Sequence, residues 1–191
     1  MLVVVVVVTG AGFVADHLAI RWSEGRVASH IEHRFPGSHA SVTISSSLYL
    51  PRLALSGTVQ DVHARVTDVT DGRLHLNTVD VTALSLKINR ADLLNSQTRV
   101  DSLSTATITA TLTVAEALRA AGYSSEAGLS GLASGMKANV QAGAGSVHIQ
   151  VGPLTFSLPY NSLVPCVGSG EVSGGDIILT CTTHTVPAAL Q

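Results

Sequence analysis

The most regular pattern in the chain runs from Thr105 to Val114, where Ala106, Ile108, Ala110, Leu112 and Val114 alternate with five threonines. A period of two with one apolar face predicts a half-buried antiparallel strand whose threonine face meets water. Ala40, Val42 and Ile44 alternate in the same way with Ser41, Thr43 and Ser45. Val62, Ala64 and Val66 mark one face of a strand expected from about Ala54 to Thr70, and Asp71-Gly72 after it is a hairpin signal. From Arg73 to Arg90 the apolar set lies at 74 and 76, then 79, 81 and 83, then 84, 86 and 88. It changes face twice, and each change predicts a bulge or sharp coil, because a slip of one residue exchanges the faces. Strands coiled in this way build a sheet that wraps around something. Further strands are expected at about Ala138–Val151 (bulged near Gly143–Gly145), Leu154–Leu158 and Ile177–Thr183.

Helical spacing governs two stretches. Between Asp16 and Phe35 the apolar residues Ile20, Val27, Ala28, Ile31 and Phe35 fall near one face, Gly25 weakens the middle, and Pro36-Gly37 ends the helix. Thr113-x-x-Glu116 is a capping box, predicting a short helix from about Val114 to Ala121 that stops at Gly122. A third stretch, Leu129, Leu132, Ala133 and Met136, has helical spacing but is broken by glycines. The sum is an α+β fold, a long and strongly curved antiparallel sheet wrapped against an N-terminal helix. One domain is expected over 16–191. Residues 1–15, apolar from Leu2 through a run of valines, have the length of a signal or anchor segment and are short for a membrane span.

Val8-Thr-Gly-Ala-Gly-Phe-Val-Ala15 copies a dinucleotide-binding turn, but the strands that follow lack the alternating helices such a unit needs. Leu48-Tyr49-Leu50-Pro51-Arg52-Leu53 is apolar where a connection should be polar. Burial under the sheet is one reading; the other is an exposed loop that dips into a bilayer or lines a cavity mouth.

Composition narrows the function classes. Charged residues make up 13% of the chain and the formal charge is −2, with no basic cluster, which argues against nucleic acid. Aromatics are 4%, so Val, Leu, Ile and Ala must fill the interior. His30 and His33 lie one turn apart without the H-E-x-x-H pattern of a zinc site, and no metal or cofactor is expected. The serines show no G-x-S-x-G elbow, and no pair of acids resembles a glycosidase or nuclease site. Catalysis therefore ranks third among the functions weighed. Cys166 and Cys181 bracket a Gly-rich stretch that folds back at Gly174-Gly175, which favours a disulfide and an oxidising compartment over two buried thiols.

Several segments resemble the LmeA-like family of actinobacterial phospholipid-binding envelope proteins: Arg26–Phe35, Val42-Thr-Ile44, Leu48–Leu53, Ser56-Gly-Thr-Val59, Asp71-Gly72, Leu93-Leu94, Thr105–Val114, Val164-Pro-Cys166 and Leu179-Thr-Cys181. The chain departs from the family in its Gly-rich 122–145 region and in the place of Pro51. The resemblance implies a secreted or membrane-anchored cell-envelope protein with a tubular lipid-binding half-barrel (TULIP/BPI-like), no cofactor, and a role in envelope lipid or glycolipid maintenance. Phospholipid and the membrane surface are then the expected partners, with acyl chains held in an apolar groove. Leu48, Tyr49, Leu50 and Leu53 in the loop and inward-facing Leu84, Leu86, Ile108, Ala110 and Leu112 are the expected contact residues. The rival is an envelope assembly protein that pairs with partners through a sheet edge.

Overall fold

The computed structural model describes residues 2–46, 49–71, 74–89, 100–120, 137–143, 146–151, 154–159, 168–173 and 175–185. The chain opens with one helix, α1 (Leu2–Arg34), which runs through residues 15 and 16 without a break. At 33 residues it is about 50 Å long. It stops where predicted: Phe35 N–H donates to Ile31 O, the Ser38 hydroxyl donates to Phe35 O, and Gly37 takes a positive φ of 91°. Among the described residues, no helix is long and apolar enough to cross a membrane.

Strand β1 (His39–Ser45) follows, then a short helix α2 (Tyr49–Ser56) and the long hairpin β2 (Thr58–Asp71) and β3 (Leu74–Ile88). The hairpin closes at Asp71↔Leu74, as the Asp-Gly signal predicts. Next come β4 (Val100–Ser102), β5 (Thr105–Thr113), helix α3 (Val114–Ala120), β6 (Lys137–Gly143), β7 (Ser146–Val151), β8 (Leu154–Pro159), β9 (Gly168–Ser173) and β10 (Asp176–Thr183). All strands join one open antiparallel sheet, in the order β1-β2-β3-β5-β10-β9-β6-β7-β8, with β4 paired to the end of β3.

Three expectations are corrected here. The strand expected from Ala54 begins only at Thr58, because α2 occupies 49–56 and Gly57, at φ 66°, ends it. Pro51 is tolerated because it sits in the first turn, where N–H groups need no intrahelical acceptor. The single bulged strand expected over 138–151 is a hairpin instead, closed at Gly143↔Ser146. Strand β9 is absent from the strands expected; the Gly-rich stretch expected to fold back supplies it, pairing with β10 from Ser173↔Asp176 to Gly168↔Cys181. The glycine-broken helical stretch at 129–136 and the stop at Gly122 lie outside the described residues. Helix α3 forms as the capping box predicts, with Glu116 N–H donating to the Thr113 hydroxyl at 3.1 Å.

The two changes of face along β3 are real. Leu74 and Leu76 are buried, then Val79 and Ala83, then Leu86. The β2–β3 ladder skips Asp68 with Asn77 and Gln60 with Ser85, while the numbering of partners continues without offset. Asp68 (φ 57°) and Ser85 (φ 52°) adopt the left-handed conformation at these two levels. Both strands thus turn over together, so the pairing survives while the apolar face is exchanged.

The inner face of the sheet carries the core. Pairing aligns Val42–Ala64–Val81–Ile108 and Ala40–Val66–Val79–Ala110 across four strands. On the outer face, Thr78, Thr82, Thr107, Thr109 and Thr111 line up with Thr180 and Thr182. The alternation in the sequence therefore maps onto one apolar and one hydroxyl-rich surface.

Candidate functional site

Helix α1 lies along the edge of β1 and is fixed there by two carboxylates. Glu24 accepts from Ile44 N–H at 2.7 Å and Glu32 accepts from Ala40 N–H at 3.0 Å. Ile20, Ala28, Ile31 and Phe35 turn towards the sheet as expected, whereas Val27 is exposed. A third carboxylate, Asp16, accepts from the first N–H groups of α2: Tyr49 N–H at 3.0 Å and Leu50 N–H at 2.5 Å. A negative charge at a helix N-terminus satisfies orphan donors and opposes the helix dipole. The Tyr49 hydroxyl lies 3.1 Å from Ser23 Oγ, so α2 is held against α1 by backbone and side chain together.

This docking places the apolar 48–53 segment. Tyr49 is buried, at 5% exposure, and Leu53 is half-buried, both against Val42, Ile44, Val59, Ala83, Leu86 and Ala106. Leu50 is exposed, as are Pro51, Ala54 and Leu55, the last at 79%. The segment is thus a helix and not the loop expected, buried on one side and exposed on the other. Leu48 lies outside the described residues.

The residues expected to face inward divide. Leu86 joins Tyr49 and Leu53, while Ile108, Ala110 and Leu112 belong to a second buried cluster with Val79, Leu76, Val172, Ile177 and Leu179. Ala110 and Leu112 are fully buried, so they are packed on all sides and form the foundation of the face rather than an open surface. Leu84 points the other way, 42% exposed on the outer side. The reason is local: the face is exchanged at Ser85, after Leu84, and not between Ala83 and Leu84 as the sequence was read.

Between α1, α2 and the inner face lies apolar surface that is only half covered. Ala19, Ile20 and Ala28 of α1, Leu53 of α2, Val62 and Ala64 of β2, and Ile88 and Val100 at the β3–β4 end all pack on the buried cluster while remaining partly accessible. Ile31 touches both clusters, so the half-open surface is continuous with the second, where Phe35 and Val81 extend it. Sequence reading missed the contribution of Ala19, which directly precedes Ile20 of the apolar stripe of α1; Leu18 and Trp22 are exposed and lie outside this surface.

Polar chemistry gathers on the opposite side of the sheet. Arg65 donates to Asp80 at 2.7 Å, and this hydrogen bond, with the Asp80 charge, raises the Arg65 pKa above its ordinary value. His63 lies 3.1 Å from the Thr82 hydroxyl but 3.7 Å from Asp80, beyond hydrogen-bond reach. A hydroxyl, an imidazole and a carboxylate thus meet on an open strand face, with the carboxylate already engaged by arginine. Among the described residues, no group of three or more His, Cys, Asp or Glu is arranged to hold a metal ion.

A family model for LmeA-like phospholipid-binding proteins matches residues 14–177, from the fourth turn of α1 to the start of β10. The chain belongs to the LmeA-like phospholipid-binding family. No curated protein and no solved structure matches it. Membership in this lipid-binding family directs attention to the half-covered apolar surface and away from the polar outer face. Cys181 is buried beside Ile108 in the second cluster and is not a free thiol; Cys166 lies outside the described residues.

Proposed function

We propose that this LmeA-like protein holds phospholipid acyl chains against the half-open apolar surface between α1, α2 and the inner sheet face, on the outer side of a membrane. The observation that carries the proposal is the combination of continuity and incomplete cover. Ile20, Ala28, Leu53, Val62 and Ala64 line one stretch of apolar surface that the protein's own side chains leave partly accessible. An acyl chain lying there gains on the order of 0.8 kcal/mol per buried methylene, so affinity comes from contact area and needs few polar groups. The proposed groove is shallower than a tube through the whole sheet, since Ile108, Ala110 and Leu112 are already packed.

An extracytoplasmic place in the cell envelope is supported by two features. The valine-rich stretch 2–14 forms the first turns of α1, about 20 Å of helix against roughly 30 Å of hydrocarbon in a bilayer, a length suited to a signal or one-sided anchor. The chain's two cysteines suit an oxidising compartment if they pair as proposed. In that setting the protein serves envelope lipid or glycolipid maintenance without catalysis, with phospholipid and the membrane surface as its partners.

Native mass spectrometry of protein purified from its host tests this reading. A co-purifying phospholipid that is lost when Ala28 and Ala64 are both replaced by Trp, filling the surface, supports it. A ligand-free protein that takes up no phospholipid from mixed micelles overturns it. The rival, assembly through a sheet edge, is disfavoured at β1, where α1 already occupies the edge.

A further inference from the structure

The acids of the two N-terminal helices are engaged by backbone N–H groups, whereas three of their arginines have no acidic partner among the described residues. From Ala15 to Ser56 the helices α1 and α2 contain Asp16, Glu24 and Glu32, and each of these carboxylates accepts a backbone N–H from α2 or β1. Helix α2 contains no acid at all. Arg21 and Arg26 are exposed on α1 and Arg52 is half-exposed on α2, and none has an acidic partner among the described residues.

Between these cations the surface is apolar. Leu18 and Trp22, one turn apart on α1, are 63% and 66% exposed. At about 100° per residue, Arg21 lies about 80° to one side of the Leu18–Trp22 ridge and Arg26 about 60° to the other. The Arg26 guanidinium sits over the Trp22 ring, 5.3 Å from its centroid. Leu50, Pro51, Ala54 and Leu55 form the exposed side of α2, docked beside α1 through Asp16 and Ser23.

We infer that the outward sides of α1 and α2 form one docking surface for an anionic phospholipid bilayer, with Trp22, Leu18 and Leu55 entering the interface and Arg21, Arg26 and Arg52 meeting the head groups. The inference rests on the lipid-binding reading and names its membrane partner. Tryptophan and arginine are the side chains that anchor at a membrane interface, one amphipathic and the other charged on a long apolar stem. The surface also adjoins the half-open groove through Leu53, so a chain leaving the bilayer at α2 has a continuous apolar path inward. Net charge does not oppose the docking: the chain as a whole is −2, but Arg21 and Arg26 flank the Leu18–Trp22 ridge and Arg52 stands on α2. The nearest exposed acid of the same side, Glu32, lies ten residues along α1 from Trp22 and is engaged by Ala40 N–H.

The protein provides its own reporter, because Trp22 is its only tryptophan. The full-length protein is titrated with vesicles of phosphatidylcholine alone and of phosphatidylcholine with phosphatidylglycerol, following Trp22 emission and co-sedimentation. The expected result is a blue shift and binding with the anionic vesicles only, weakening as salt is raised. Each arginine near an anionic surface contributes about fivefold in affinity, so R21Q/R26Q/R52Q should lose on the order of a hundredfold. Leu55→Ser should weaken binding without removing the preference for phosphatidylglycerol. The phospholipid carried by the soluble protein, read by native mass spectrometry, should be unchanged in the arginine variant. Equal binding to both vesicle types, an arginine variant that binds as wild type, or a Trp22 buried against a second copy of the chain would overturn the docking surface while leaving the groove intact. Loss of the carried lipid in wild-type protein would instead remove the reading on which it rests.

Discussion

Gly168 sets how closely β9 and β10 approach. It pairs with Cys181, and a Cβ placed on it would run into the Thr180 carbonyl oxygen and come within 2.7 Å of Cys181 Cβ. The obstacle is backbone, which cannot swing aside as a side chain can. Gly168→Ala is therefore expected to cost about 1–3 kcal/mol, read as a lowered midpoint in chemical denaturation. The same contact bears on the proposed Cys166–Cys181 disulfide, because Gly168, two residues on from Cys166 in the sequence, lies directly against the buried Cys181. Alkylation of the unfolded protein without reductant should find no free thiol. Reduction should destabilise the fold by about 3 kcal/mol, the effect of opening a loop of about 15 residues. Two reacting thiols per chain, or unchanged stability on reduction, would refute the pairing. Leu84 shows why residue-level assignments fail: its apolar character fits either face, and only the left-handed backbone at Ser85 decides which one it takes.

Elements were legible where their determinants are local. The threonine alternation of β5, the Thr113 cap of α3 and the Pro-Gly stop of α1 lie within a few residues of what they specify, and each forms at the place expected. Helix α2 was not legible because its N-terminal partner is 33 residues away in the sequence. Asp16 receives the N–H groups of Tyr49 and Leu50, and Pro51, which reads as a loop marker, is harmless in a first turn. This dependence is testable. Asp16→Ala should remove about 0.5–2 kcal/mol from α2 and release it from α1, seen as faster amide hydrogen exchange over 49–56 than over β2. Asp16→Asn keeps an acceptor oxygen and should restore part of the protection. Equal protection in Asp16→Ala and wild type would show that α2 is held by Tyr49 packing alone. The candidate groove shares this history: its sheet floor was visible as alternation, whereas its α2 wall depends on a contact that no local pattern reveals.

At the scale of the whole molecule, the α+β class and the single open sheet follow from the switch between helical and two-residue periods. The sequence did not reveal how the sheet's first edge is protected. Glu24 and Glu32 are eight residues apart on a helix, about 12 Å, and their acceptors' partners Ala40 and Ile44 are four residues apart on a strand, about 14 Å. The near match lets one straight helix cover β1 with two carboxylates, in the place a further strand would take. An uncovered edge strand is a template for pairing with another chain. Glu24→Ala with Glu32→Ala should therefore expose the N–H groups of Ala40 and Ile44 and convert the protein towards dimers or larger species joined at β1. Size-exclusion chromatography with light scattering reads this directly, and the Arg65→Ala variant, which breaks an ion pair on the outer face, serves as the control that should stay unchanged. If the double variant keeps the mass of wild type, the glutamates do not guard the edge, and edge pairing regains standing as a function. If it associates, the native protein is built to prevent the contact that the rival function requires, and the apolar surface beside the same helix becomes the place where partners meet it.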